Sequence, residues 1–303
     1  MNKLEANISL FFITFFSAVQ NVFLIWIPDT VSDFAFMCIT NLLGFLMSLA
    51  FFFGELFRLD FRQVKQSMVL SAELIVFNIF LLLGVSGVGP TMTNALLSTD
   101  FVFISFISFM LYKEIPDRAT LAGIIIVLAG VLIMADADIS ELWNWSVLYL
   151  IISNIAFSFF IITTGAYASS SNPSIIAMGQ MFFCFLFSLI LWAGEAIFFG
   201  AEFSLPLVPS FWGSVIYVSF FIRGLYGIVQ VYVQRYISPL STAMILATET
   251  VMVMAISPVL TAFLGTEPEV ITPLKVAGAF VMIIGVMITE PEFIKFLRRL
   301  IHV

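Results

Sequence analysis

PTMTNALLSTD, Pro90–Asp100, has a second copy in the chain: PLSTAMILATE, Pro239–Glu249. The proline, the fourth-position threonine, the leucine, the tenth-position threonine and the closing acid recur 149 residues apart. Each copy lies in a long apolar run, and each places its acid ten residues past its proline. At 1.5 Å per residue that is about 15 Å along a helix, half the thickness of a bilayer core of about 30 Å. Each half of the chain therefore brings one carboxylate to the same depth.

The rest of the sequence supplies the membrane. Of 303 residues, 61% are hydrophobic, 10% are charged and 36 are Phe. A soluble domain is about 45–50% apolar and about 25% charged. The net charge of −7 and the few scattered basic residues give no nucleic-acid face. Cys38 and Cys184 lie in apolar runs and suggest no disulfide framework. The first apolar run is longer than a signal-peptide core and reads as a permanent helix.

Breaking the chain at charged clusters and at Pro and Gly predicts ten spans. They are 8–27, 34–55, 67–85, 90–112, 119–135, 144–166, 174–199, 211–235, 240–264 and 272–290. With the N-terminus in the cytoplasm, ten basic residues fall inside (Lys3, Arg58, Arg62, Lys65, Lys113, Arg118, Arg235, Lys295, Arg298 and Arg299) and only Lys275 outside. Arg223 is within a span, and the outer loops carry Asp29, Asp33, Asp136, Asp138 and Glu141. Both termini are then cytoplasmic and the protein belongs to the cytoplasmic membrane. The tail PEFIKFLRRLIHV reads as a basic inner-surface segment.

Two further repeats accompany the first. FLMSLAFFFGE, Phe45–Glu55, matches FLFSLILWAGE, Phe185–Glu195, at an offset of 140 residues. AGIIIVLAGVLI from Ala122 matches AGAFVMIIGVMI from Ala277 at an offset of 155. The expected architecture is all-α and polytopic, with ten transmembrane helices as two five-helix repeats, 1–138 and 139–290, and a basic tail, 291–303. Five is odd, so the second copy inserts upside down. Inverted repeats are a mark of secondary transporters, whose substrate sites lie near the midplane.

ALLSTDFVFISFISFMLYKE, Ala95–Glu114, followed by LAGIIIVLAGVLIM, Leu121–Met134, resembles the EamA-type proteins of the drug/metabolite transporter superfamily. Their pattern is a helix with an acid near its middle, a Glu at its cytoplasmic end, and then a small-residue-rich helix. Glu114 and Glu267 sit where that second Glu falls. The chain departs from the pattern at Phe101 and Thr250, where a proline commonly follows the acid, and in extra residues before Glu267. The resemblance implies a transporter with a central cavity lined by helices one, three, four, six, eight and nine. It implies no particular substrate.

An intramembrane charge costs about 2.5–3.5 kcal/mol on insertion scales. Four such residues are candidates for binding substrate or protons: Glu73, Asp100, Arg223 and Glu249. For the acids the competing reading is structural hydrogen bonding; for Arg223 it is a buried ion pair with Glu73, Asp100 or Glu249. Arg223, Tyr226, Gly227, Gln230 and Gln234 share a helical stripe that faces protein or water. Thr14, Ser17, Gln20 and Asn21 on helix one, and Asn154 and Ser158 on helix six, complete the expected cavity lining, with interhelical hydrogen bonding as their plainer role. Asn78 reads as a packing residue off the Glu73 face. Phe77, Phe157, Tyr167, Tyr226 and Tyr232 could wall the cavity, Gly224, Gly227 and Pro258 are places where helices could bend, and Glu55 and Glu195 read as interfacial.

The only histidine is His302, and no metalloprotease, nucleophile-elbow or Walker motif is present. No metal, cofactor or enzymatic role is expected. The expected partners are a small-molecule substrate, protons and the lipid bilayer, and a monomer suffices. The leading function is secondary transport of an amino acid or related amine. Transport of organic cations, a channel or sensor, and an intramembrane enzyme are the alternatives.

Overall fold

A computed structural model describes residues 1–28, 31–58, 60–113, 117–134, 144–200, 205–265 and 270–289. Among them there is no strand, as the bilayer demands of an unclosed chain. The helices are α1 (Lys3–Ile25), α2 (Asp33–Phe52), α3 (Phe61–Leu97), α4 (Asp100–Tyr112), α5 (Arg118–Met134), α6 (Trp145–Ser170) and α7 (Pro173–Phe199). After them come α8 (Pro209–Tyr217), a π-helical segment Val218–Tyr226, α9 (Gly227–Val233), α10 (Pro239–Ala247), α11 (Glu249–Leu264) and α12 (Pro273–Thr289).

Seven helices are long and apolar enough to cross a membrane: Lys3–Ile25, Asp33–Arg58, Phe61–Leu97, Trp145–Ser170, Pro173–Phe199, Pro209–Val233 and Pro239–Leu264. Asp100–Leu111, Arg118–Met134 and Pro273–Ile288 are shorter apolar helices. Three of the ten expected spans therefore fall short of that length among the described residues. One reason is local. Gly89 (φ 76°, ψ 167°) and Pro90 interrupt α3, so its last turns, from Pro90, belong to expected span four. A positive φ followed by proline ends one helix and starts the next.

Polar caps set several helix starts. Asn2 and Glu5 form a capping box, Asn172 accepts from the Ser174 N–H ahead of Pro173, and Ser238 does the same for Ser241 ahead of Pro239. The outer surface is apolar, with Phe12, Ile125, Phe263 and Phe280 exposed where lipid would lie. The interior carries much of the polarity, including buried Asn21, Asn78, Asp100, Arg223 and Glu249.

Three helix pairs dominate the packing: α3 with α6, α5 with α12, and α2 with α7. α2 and α7 are antiparallel and latched at both ends. Ser32, the N-cap of α2, donates to Glu195 near the end of α7. Asn172, the N-cap of α7, donates to Glu55 just past α2 at 3.0 Å. Ser32 and Asn172 are 140 residues apart, as are Glu55 and Glu195. The interfacial reading of the two glutamates thus gains a definite partner for each. α5 and α12 meet through their small faces: a Cβ on Gly130 would lie 2.8 Å from the Gly278 carbonyl, and one on Gly285 2.9 Å from the Gly123 carbonyl. These contacts also exchange under a fixed shift, since Gly123 and Gly278, and Gly130 and Gly285, are 155 residues apart.

Candidate functional site

The chain breaks helix twice, each time one residue before a buried acid. Ser98 and Thr99 separate α3 from α4, and Thr248 separates α10 from α11. In both breaks a threonine bonds back to the carbonyl three residues earlier: Thr99 Oγ1 to Leu96 O at 2.7 Å, and Thr248 Oγ1 to Ile245 O at 2.6 Å. Their N–H groups donate to the same carbonyls at 3.1 Å each. Such local bonds compete with the regular ladder, so the recurring Thr-acid pair writes the break into the sequence. Asp100 and Glu249 then open α4 and α11, where the helix dipole favours a carboxylate. The breaks touch, because Ser98 and Thr250 share a hydrogen bond of 2.8 Å.

α6 supports the first break. Asn154 Nδ2 donates to Leu96 O and to Thr99 Oγ1, both at 2.9 Å, and Ser158 Oγ donates to Asp100 O at 3.2 Å. Neither residue is in the walls of the two central cavities described next; each bonds the backbone of the break instead. Nor is Thr14; its hydroxyl donates to Leu10 O within α1. In a dry helix interior these hydroxyls and amides bond the nearest carbonyl and leave the cavity wall to others.

Two small cavities, each about 50 Å³, lie at the centre. That is room for a water or two. They share Ser17, Gln20, Phe77, Phe157 and Tyr226 as common walls. The first is acidic: Asp100, Glu249, Asn21 and Asn94 line it. Asp100 is 1% exposed, and its Oδ1 has no partner among the described residues. Glu249 shares this wall with Ser17. The second is cationic, lined by Arg223, Gln230, Gln180 and Gly227. The Phe77 and Phe157 rings, 4.7 Å apart, stand in the dividing wall. Tyr167 and Tyr232 do not; Tyr232 bonds Ser174 instead.

The competing ion-pair reading of Arg223 finds no carboxylate partner among the described residues. Arg223 Nη2 donates to Asn78 Oδ1 at 2.7 Å instead. Its Nε is buried without a partner. Glu73 accepts from Thr163 Oγ1 at 3.0 Å, leaves Oε2 buried and unpartnered, and lines neither central cavity. Glu73 and Asn78 are five residues apart, about 140° around α3, so one helix cannot turn both toward Arg223. Asn78 is thus the partner of Arg223, and the packing role expected of it is replaced. Arg223 and Tyr226 lie in the π segment, whose wider turn changes their angular placement from that of an α-helical stripe. Gly224 in that segment packs on Met47, where a Cβ would meet Sδ at 2.1 Å, so it serves contact rather than bending.

Access differs between the two ends. Near the end of α1, Tyr217 stacks on Phe23 at 4.3 Å and its hydroxyl donates to Phe16 O at 2.8 Å, while Ser214 Oγ donates to Phe23 O at 2.7 Å. Trp26 fills the space beside Gly213. At the end carrying Asp117 and Arg235, a vestibule of about 750 Å³ opens between α4, α6 and α10. Gln234, the last member of the expected stripe, lines this vestibule rather than the central cavities.

Asn94 and Gln180 are lining residues that the sequence reading passed over. Asn94 stood inside the repeated segment, in a row with Ser98 one turn later, and Gln180 was a lone amide in the apolar run of α7. Asp29, Glu114, Asp136, Asp138, Glu141, Glu267, Lys295, Arg298, Arg299 and His302 lie outside the described residues.

No family model matches the chain. Over 262 residues it is 24% identical to a protein of Archaeoglobus fulgidus described as an uncharacterized transporter, covering 86% of this chain and 78% of that one. A crystallographically determined chain, described only as a protein, superposes with a TM-score of 0.68 over 95% of this chain and 98% of its own, at 14% identity. That likeness is one of fold. The apolar helices and the archaeal relative together fit an integral membrane transporter.

Proposed function

We propose that the protein is an EamA-type secondary transporter that moves a small zwitterionic metabolite, an amino acid or a close relative, across the cytoplasmic membrane, with no enzymatic step. Its ten spans form two inverted five-helix units, 1–138 and 139–290, with both termini and the tail 291–303 in the cytoplasm. The exchanged contacts support this reading. The latches of α2 and α7 interchange under a shift of 140 residues, the glycine contacts of α5 and α12 under 155, and the Thr-acid breaks under 149.

The observation that carries the substrate class is the divided chamber. One lobe holds two carboxylates, the other a guanidinium whose bonded partner is a neutral amide. An Arg committed to an ion pair would be structural; this one keeps its charge for a ligand. A zwitterion joining the lobes puts its carboxylate on Arg223 and its ammonium on Asp100 or Glu249. Cavities of about 50 Å³ are too small for it, so the dividing wall must part to admit it. The bonded end of α1 and the open vestibule opposite support a state facing the cytoplasm, with alternating access about the touching helix breaks. The aromatic wall of Phe77, Phe157 and Tyr226 favours a second reading, an organic cation held by the acids.

Thermal stabilisation of the purified protein against amino acids and quaternary amines separates these. A ligand at about 100 times its Kd stabilises by about 2.7 kcal/mol. Shifts with amino acids, lost in Arg223→Gln, are expected. Shifts with quaternary amines alone, unchanged in Arg223→Gln, would move the function to the second reading.

A further inference from the structure

Asn94 lies in the last turn of α3 and Ser98 caps its end. The 149-residue repeat sets these two opposite Ala243 and Ala247, and all four are buried. Alanine therefore suffices to pack this side of a helix break. The first copy has two polar residues where the second packs with none, and both of them line the acidic lobe.

Their hydrogen bonds fix what they offer the lobe. Asn94 Nδ2 donates to Pro90 O at 3.0 Å, which orients the amide and leaves Oδ1 as an acceptor. No described group donates to that oxygen. It is not shut in as Asp100 Oδ1 is, and the space it opens on is the cavity. Thr250 Oγ1 gives its one hydrogen to Asn94 O at 3.3 Å, so Ser98 is the donor in the 2.8 Å bond between Ser98 and Thr250. With its hydrogen spent, the Ser98 hydroxyl has only lone pairs left. The lobe thus sets two neutral acceptors, their donors used elsewhere, beside the carboxylates of Asp100 and Glu249.

Such a wall suits a cation that brings several N–H groups. A cavity of about 50 Å³ admits one ammonium in the place of a water. A fully methylated nitrogen would carry the same charge but leave both neutral acceptors buried and unpaired.

We propose that Asn94 and Ser98 make the acidic lobe selective for a primary ammonium. Asn94 Oδ1 and Ser98 Oγ each take one N–H, and a carboxylate of the lobe takes the third. This selectivity rests on the amino-acid reading above and narrows it to substrates with a free, unmethylated amine.

The test titrates glycine, alanine, leucine, phenylalanine, serine and glutamate against the purified full-length protein. Each is used as the free amine, the N-methyl form and the N,N,N-trimethyl form, and Kd is read from the shift in melting temperature. Each N–H removed should weaken binding roughly tenfold, because a buried acceptor loses its donor. In Ser98→Ala the cost of the first methyl should vanish, since one acceptor is gone. Asn94→Leu should do the same. It also strips Pro90 O of its donor, so where that variant melts too low to titrate, Ser98→Ala decides. Free and methylated forms that bind alike overturn the selectivity and leave the amino-acid reading standing. So does a preference for the free amine that both variants keep unchanged, because these acceptors would then not be reading it. Absence of binding by every form would sink the amino-acid reading itself, and the selectivity with it.

Discussion

Arg223, in the π segment, donates to the amide oxygen of Asn78 on α3 at 2.7 Å. Asn78 is itself fixed, its Nδ2 donating to Leu74 O at 2.6 Å, so the oxygen presented to Arg223 is set by α3. A neutral partner orients the guanidinium without cancelling its charge. Turning that partner into a carboxylate should cancel it. Asn78→Asp is expected to keep the fold and lower kcat/KM for a carboxylated substrate by tenfold or more, equivalent to about 1.4 kcal/mol. Asn78→Leu removes the hydrogen bond and should lower stability by about 1–3 kcal/mol. Flux in proteoliposomes and melting of the same preparations check both; unchanged flux in Asn78→Asp would show that Arg223 does not meet the substrate.

Gly44 provides a steric test of the same side chain. A Cβ there would lie 2.4 Å from Arg223 Cβ and 3.4 Å from its Cα, so α2 fits against Arg223 only with glycine at that point. Gly44→Ala should displace the arginine and cost about 1–3 kcal/mol by overpacking. Gly54, with nothing within 4 Å of its would-be Cβ, is the matched control, and Gly54→Ala should be silent in both melting and flux.

The acidic lobe should govern coupling. Asp100 and Glu249 line one cavity, each at the start of its helix, with Ser17 in the same wall. Carboxylates that bind and release a proton link flux to the gradient, and an amide in the same place cannot. Glu249→Gln is expected to retain exchange of labelled for unlabelled substrate while losing accumulation driven by a proton gradient. Accumulation that persists in both Glu249→Gln and Asp100→Asn would assign the energy source elsewhere.

Much of this was legible in the chain, for identifiable reasons. The Thr-acid breaks recur in the sequence because a threonine that bonds its own backbone is a local device. The small faces of α5 and α12 showed as glycines at helical spacing, which requires only one helix to be read. The partner of Arg223 did not show, because it depends on which face of α3 meets the π segment, and five residues separate the right answer, Asn78, from the charge-matched one, Glu73. Thr14, Asn154 and Ser158 were read as lining for a similar reason: the sequence locates a polar residue in a helix but leaves open whether its donor goes to a cavity or to a neighbouring carbonyl. Expected span four is short among the helices because its first turns, from Pro90, continue α3 and the break at Ser98 and Thr99 leaves only Asp100–Leu111 beyond it.

The two latches of α2 and α7 offer the last prediction. Ser32 and Asn172 stand at opposite ends of an antiparallel pair, and each combines a helix cap with a bond to a glutamate of the other helix. With both latches closed at once, the pair is expected to act as a rigid strut while other helices move. Ser32→Ala and Asn172→Ala should each cost about 1 kcal/mol from the lost cap, or more where the glutamate is left without its donor. The ends are about 30 Å apart along a 20-residue helix, far beyond the range of coupling between sites. The double variant should therefore melt lower by the sum of the two single shifts. If instead one latch opens as the other closes during transport, each single variant would bias the protein toward one facing state. The double variant would then restore flux that the singles had lost. Melting and flux measured on all four proteins distinguish a strut, with additive shifts and unchanged flux, from a pair of alternating gates.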